Sequence, residues 1–232
     1  MAKRKKTRAD ETLIDINQAK DQAQTYVERN QNLIFGVLAA IVLLFGGYMS
    51  YKFLYQAPRE TRAIEQMHRA EHFFRQDSFA KALTDPGAGY PGFLEIAENY
   101  GRTRAGNLAK YYIGISYLNL GQFDAAIAYL EEFKPRGSVT PAMKYGTLGD
   151  AYAEKGEYDR ALRNYKRATE TNPNRLITPY YLHKYGLLAE RQGQYNDALA
   201  AFEKIRKDYP QSTQYRDADR YIGRIEAKMS QR

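Results

Sequence analysis

The chain has 232 residues, no cysteine, no tryptophan and a formal net charge of +8. The missing cysteines exclude disulfides, thiolate metal sites, a cysteine nucleophile and a lipid-bearing cysteine anchor. A mean hydropathy of −0.67 describes a chain that mostly expects water, and 21 tyrosines supply most of its aromatic surface.

Residues 1–30 are read as a cytoplasmic basic and amphipathic N-terminal segment. It opens on the cluster Lys3, Arg4, Lys5, Lys6 and Arg8, followed by a thin apolar stripe of Ile16, Ala19, Ala23 and Tyr26 at helical spacing. A basic tail of this kind suits anionic lipid or nucleic acid. No aromatic nucleic-acid module accompanies it, so a membrane-flanking role is expected and no nucleic-acid partner.

No charge occurs from Asn30 to Tyr51, a run of 22 residues. As a helix it would reach about 33 Å, enough for a hydrocarbon core of about 30 Å. Residues 31–55 are therefore expected to form a transmembrane signal-anchor helix. Tyr48, Tyr51, Phe53 and Tyr55 make an aromatic belt at its far end. A cleaved signal peptide fits less well, because the basic head ends at Arg8, the apolar core begins at Leu33 and no Ala-x-Ala site follows. Seven Lys/Arg precede the span, which puts the N-terminus in the cytoplasm and residues 56–232 outside, in a bacterium the periplasm. Gly36, Ala40, Gly47 and Ser50 fall near one face and are candidates for packing on a partner membrane helix. Pro58 marks the exit, with a helix restarting behind it.

Three stretches further on share one spacing: Gly114–Gly121–Ala126, Gly149–Gly156–Ala161 and Gly186–Gly193–Ala198. They define repeats over residues 107–140, 142–175 and 179–212, each two helices joined by a tight turn. The first glycine and the alanine let the helices of a hairpin approach closely. The second glycine tolerates the positive φ that ends the first helix. Asp124, Asp159 and Asn196 suit the start of the second helix, and Pro173 and Pro210 close their units. Residues 59–106 hold a degraded copy, with Ala70, Phe73, Phe79, Ala82 and Leu83 at the same offsets. Its second helix is broken by an inserted loop, 84–92, and resumes at Phe93. Residues 213–232 read as a capping helix with the apolar stripe Tyr215, Ala218, Ile222, Ile225 and Met229.

This pattern resembles the tetratricopeptide repeat (TPR) family, with the middle repeat the best match. The expected fold is all-α: one N-terminal transmembrane helix, then a TPR α-solenoid of three clear repeats, one degenerate first repeat and a C-terminal capping helix. The resemblance implies a concave surface lined by the first helix of each hairpin. Here that surface would include Tyr111, Ile115, Asn119, Met143, Asp150, Glu154, Tyr180, His183, Leu187 and Arg191, a mixture that suits a peptide segment. The Lys/Asn clamp by which some TPR proteins hold a chaperone carboxylate is missing, since Tyr111, Ile115 and Thr147 occupy those positions. The order of parts also resembles the bacterial family of ancillary SecYEG translocon subunits. That family implies a non-enzymatic, inner-membrane, chaperone-like adaptor that attends emerging polypeptides in protein transport.

Two other readings stand beside it. One is a scaffold of another envelope assembly, in outer-membrane biogenesis, secretion or division. The other, remote, is a zinc hydrolase, because His68-Arg-Ala-Glu-His72 fits H-x-x-E-H. An exposed amphipathic helix explains that string more simply. Gly87-Ala-Gly-Tyr-Pro-Gly92 fits G-x-G-x-x-G but follows no strand and contains Pro91, so it reads as a loop. No catalytic residue, cofactor or metal ligand is expected.

Overall fold

Three turns of the chain set its architecture. At Gly121, Gly156 and Gly193 the backbone takes φ of 73°, 83° and 73°, the left-handed conformation that costs glycine nothing. The amide after each glycine then bonds to a carbonyl five residues back: Gln122 to Tyr117, Glu157 to Tyr152 and Gln194 to Ala189, each at 2.9 Å. This closes one helix and reverses the chain into the next. A fourth copy stands at Asp77, with φ 55° and Ser78 N to Phe73 O at 2.9 Å. Aspartate tolerates that conformation better than most residues.

The computed structural model describes residues 20, 22 and 24–231. The basic cluster at 3–8 and Ile16, Ala19 and Ala23 of the expected stripe lie outside the described residues. The chain divides at Pro58 into two units, and the described residues are helices, turns and loops without a strand.

In the first unit, residues 24–29 are helical and the Asn30 side chain donates to Tyr26 O at 2.9 Å. Helix α1, Gln31–Ser50, buries none of its residues. Val42, Leu43 and Leu44 are 68 %, 76 % and 75 % exposed, in a helix long and apolar enough to cross a membrane. Gly36, Ala40, Gly47 and Ser50 are all exposed, and a methyl at Gly36 or Gly47 would meet nothing within 4 Å. A π-helical stretch, Tyr51–Gln56, follows, with Tyr51 and Tyr55 stacked at 5.4 Å. Pro58 is the second residue of α2, Ala57–Arg75, and the backbone is helical without a break from 31 to 75, so the expected stop and restart at this proline does not occur. The wider π turn before it accommodates the missing amide donor and the bulk of the ring.

The second unit runs through α2, α3 (Phe79–Thr84), α4 (Phe93–Tyr100), α5 (Arg104–Asn119), α6 (Phe123–Glu132), α7 (Thr140–Glu154), α8 (Tyr158–Glu170), α9 (Thr178–Arg191), α10 (Tyr195–Asp208) and α11 (Tyr215–Ser230). Each helix from α4 onward packs on the next in sequence, which is a solenoid of antiparallel hairpins. Hairpin seams are made by small residues. Ala126, Ala161 and Ala198 are fully buried. A Cβ on Gly114, Gly149 or Gly186 would lie 2.5, 2.5 or 2.7 Å from the side chain of Leu130, Tyr165 or Phe202.

Asp124, Asp159 and Asn196 do not cap their helices. The residues at the cap are Gln122, Glu157 and Gln194, and none makes a side-chain cap hydrogen bond. Asp124, Asp159 and, beside Asn196, Asp197 sit in the first turn, where the helix dipole favours negative charge. A second recurrent device starts the leading helices. Thr140 and Thr178 are each followed by proline, and their hydroxyls accept from Arg136 N at 3.0 Å and Asn174 N at 2.8 Å.

In the first hairpin, residues 85–92 separate α3 from α4. Asp85 Oδ1 accepts from Gly87 N at 2.8 Å, and Gly92 backs onto the Leu83 carbonyl so closely that a side chain would collide with it. Two cores result. One joins Ala63, Met67, Ala70, Ala82, Leu83, Phe93 and Ile96 to Ile113 on α5. The other runs from Tyr111 on α5 to Ile225 on α11. Helix α5 therefore faces both.

Replacing Gly149 with alanine forces a methyl into the Tyr165 ring. Overpacking of this kind costs about 1–3 kcal/mol, more than the helix-propensity gain of about 1 kcal/mol. Gly223 on α11 has open space around its missing side chain. Gly149→Ala should lower, and Gly223→Ala should raise, the urea midpoint of the helical domain followed by circular dichroism.

Candidate functional site

A groove of about 740 Å³ opens between α5, α7 and α9, lined by Leu118, Asn119, Gly121, Phe123, Asp150, Ala153, Glu154, Tyr165, Lys184, Leu187, Leu188 and Arg191. It exists because the leading helices carry small residues on the faces turned to their partners, which leaves their other faces side by side. Leu118, Phe123, Ala153, Leu187 and Leu188 supply apolar surface. Asp150 and Lys184 hold the centre.

The Lys184 ammonium and the Tyr165 hydroxyl both donate to Asp150 Oδ1, each at 2.7 Å. Burial opposes the charge on Lys184, but Asp150 more than offsets it and holds the ammonium above its ordinary range. Burial pushes the Tyr165 hydroxyl up, and the Asp150 carboxylate adds to this. Both groups therefore keep their protons and fix the carboxylate. The Lys184 ammonium also lies 4.8 Å from the Tyr180 ring centre. Glu154 and Arg191 are exposed at the rim, Arg191 with its guanidinium 5.2 Å from the Tyr158 ring.

Of the ten expected groove residues, Asn119, Asp150, Glu154, Leu187 and Arg191 come together here. The other five are not among the side chains that line it, although Tyr180 borders it through Lys184. Tyr111 is only 8 % exposed, packed against Phe133 at 5.2 Å. Its hydroxyl is 3.1 Å from the Thr147 hydroxyl, which itself donates to Met143 O at 2.9 Å. Ile115 and Met143 are half-buried against the larger core, and Tyr180 is 42 % exposed. His183 stands edge-on to Phe202 at 5.8 Å and Tyr221 at 5.3 Å. Sequence reasoning passed over Lys184, Tyr165 and Phe123. For Lys184 a signal existed: it lies 34 residues after Asp150, close to the repeat spacings of 35 (Gly114–Gly149) and 37 (Gly149–Gly186), so opposite charges about one repeat apart meet across adjacent hairpins.

His68 and His72 line a separate depression with Glu65, Arg69 and Tyr90. Among the described residues no group of three or more His, Asp or Glu side chains is placed to hold a metal ion. The glycines at 87–92 form the loop between α3 and α4, without the strand that a dinucleotide site requires.

Comparisons with known proteins agree with this geometry. Residues 108–134 and 140–211 match models of the tetratricopeptide repeat, so the chain carries these repeats on α5–α10. It is 29 % identical over 99 residues to Superkiller complex protein 3 of Mus musculus and 31 % identical over 94 residues to that of Homo sapiens. These alignments take in 41 % and 40 % of this chain but only 6 % of each relative. Among solved structures, the TPR-like repeats of a Podosopora anserina kinesin light chain superpose with a TM-score of 0.57 at 14 % identity, covering 75 % of this chain and 89 % of that one. That likeness shows the fold, an all-α TPR solenoid. Such repeats mark the chain as a protein-interaction module.

Asp150→Asn leaves Lys184 without its counter-charge in a half-buried site and should destabilise the domain by about 2–4 kcal/mol. Arg163→Ala, an exposed site on α8, should stay within about 0.5 kcal/mol. Urea titration of both variants checks the contrast. His183 gives a pH signature. Burial pushes its imidazole below the ordinary 6.5, with Arg220 and Lys184 acting in the same direction and Asp217 against it. The unfolded chain then binds the proton first, so stability should fall as pH drops below about 6.5 and level off beneath the folded pKa. His183→Gln should remove that slope from urea midpoints measured between about pH 7 and pH 5.

Proposed function

We propose that this protein is a non-enzymatic, membrane-anchored adaptor that grips polypeptide segments in the groove between α5, α7 and α9. The observation that carries the reading is the Asp150–Lys184–Tyr165 cluster. A fixed, internally neutralised polar centre is set among apolar side chains, with Glu154 and Arg191 left at the rim. Such a surface offers anchoring pockets to apolar side chains and orientation to charged ones. It presents no nucleophile–base pair to a substrate.

Helix α1 supports the anchor. Its 20 residues would extend about 30 Å, and it is apolar on every face, the character of a helix solvated by lipid or protein. With more Lys/Arg before the span than just after it, the N-terminus lies in the cytoplasm and the repeats in the periplasm of a bacterium. In that compartment the adaptor would stand at the translocon and receive secreted chains as they emerge.

A photo-crosslinker at Leu187 in native membranes should capture secretory polypeptides in transit and recover translocon subunits, while one at Arg163 on the trailing helix α8 should capture few. Equal capture from both positions removes the groove from the mechanism. A reporter fused after Arg232 should be active only if it needs export; activity of a strictly cytoplasmic reporter would reverse the orientation.

A further inference from the structure

Two kinds of connection join the helices of the repeat domain. The turns within hairpins span residues 76–78, 120–122, 155–157 and 192–194; the connections between hairpins span 101–103, 133–139, 171–177 and 209–214. The second set contains Arg102, Lys134, Arg136 and Arg175 and no Asp or Glu. All four cations are exposed, and none is held in an ion pair among the described residues, unlike Lys155 in the turn set, which bridges Asp124 and Glu157 at 2.7 and 2.8 Å.

Because the helices alternate in direction, these connections share one edge of the solenoid, and side-chain contacts link them along it. The Asn107 side chain at the start of α5 bonds to both backbone groups of Lys134, at 2.8 and 3.0 Å. Arg175 shares a pocket with Lys207 and Asp208 at the end of α10 and with Tyr209 and Ser212 of the last connection. The chain also enters the domain at this edge. Arg59 donates to Asn99 O, and the Glu60 carboxylate accepts from Arg104 N at 2.6 Å and Ala105 N at 2.9 Å.

One apolar side chain stands out here. Leu176 is 76 % exposed, and its position is fixed. Asn174 Oδ1 accepts from the amides of Leu176 and Ile177 at 3.0 and 2.8 Å. The loop thus holds Leu176 outward in a closed turn beside Arg175.

We propose that this edge rests on an anionic lipid surface, with Arg102, Lys134, Arg136 and Arg175 on lipid phosphates and Leu176 in the headgroup–acyl boundary. The inference rests on α1 being a bilayer anchor. Anionic lipid attracts basic residues near a membrane over a Debye length, and a projecting apolar residue adds contact area. Lipid fits better than an acidic protein or a nucleic acid. Three of the four connections carry one or two of the cations each, so the charge does not come from one converging set, no exposed ring lies among these four connections for base stacking, and the domain's own first residues, Arg59 and Glu60, join it at this edge.

Because the chain has no cysteine, single-cysteine probes are clean. The full chain is placed in nanodiscs of phosphatidylcholine alone or with phosphatidylglycerol, labelled at Leu176→Cys, Gln122→Cys or Leu43→Cys, and read by a lipid-borne quencher. The label at 176 should be quenched at least about threefold more in the anionic discs, and the excess should vanish at about 1 M salt. The label at 122, in a within-hairpin turn, should stay unquenched, and the label at 43 should be quenched in both. Adding Arg136→Glu and Arg175→Glu should abolish the excess at 176 and leave 43 unchanged. If 176 is unquenched or indifferent to lipid charge while 43 is quenched, the edge proposal fails and the anchor stands. An unquenched 43 overturns the anchor and this inference with it. Protection of the 176 label by polyglutamate or single-stranded RNA in place of anionic lipid assigns the edge to a different partner and overturns the proposal.

Discussion

The closeness of two helices within each hairpin governs everything else in the repeat domain. Gly114, Gly149 and Gly186 leave no room for a methyl against Leu130, Tyr165 and Phe202, and the buried alanines at 126, 161 and 198 complete the seam. Small residues do not drive this association; the large buried residues beside them do. The glycines and alanines determine where the large ones sit. A hairpin closed on one side presents the opposite side of its leading helix, and successive hairpins set those sides together. The groove is thus a by-product of a packing rule applied three times.

Register between hairpins is held by a second interaction that spans about one repeat. Asp150 meets Lys184, and Glu190 meets Arg224, each pair 34 residues apart. Glu190 is 6 % exposed. Burial works against its charge, but Arg224 at 2.5 Å and Lys228 at 2.8 Å overcome it and keep the carboxyl below its ordinary range. Pairs of this kind add little net stability, but displacing the cations from buried Glu190 would be costly, which favours the alignment that brings them together. They sit in the hairpin-to-hairpin interface, where apolar contacts alone would tolerate a slip of one residue.

The repeated glycines and alanines are visible in the sequence because their physical requirement admits few substitutes. Asp77 was not, although it occupies the glycine's place in the first hairpin, because aspartate is an ordinary surface residue everywhere else. Tyr111 was expected in the groove from its repeat position. Its hydroxyl is turned instead to Thr147, and the ring fills the gap between α5 and the next hairpin. Whether an aromatic ring points outward or between hairpins depends on the residue one period away, which a single-helix reading ignores. Lys184 was overlooked for the same reason. Asp124, Asp159 and Asn196 do mark the start of their helices, but two residues inside the cap, since Asp and Asn suit either a cap or a first turn.

The contact of α11 with the repeats works like a latch with both a spring and a pin. The helix covers α10 with Ala218, Ile222 and Ile225, while its Arg224 and Lys228 neutralise Glu190 of α9. Displacing it would bare apolar surface and strand a buried carboxylate in the same event. The hold is therefore chemical as well as steric.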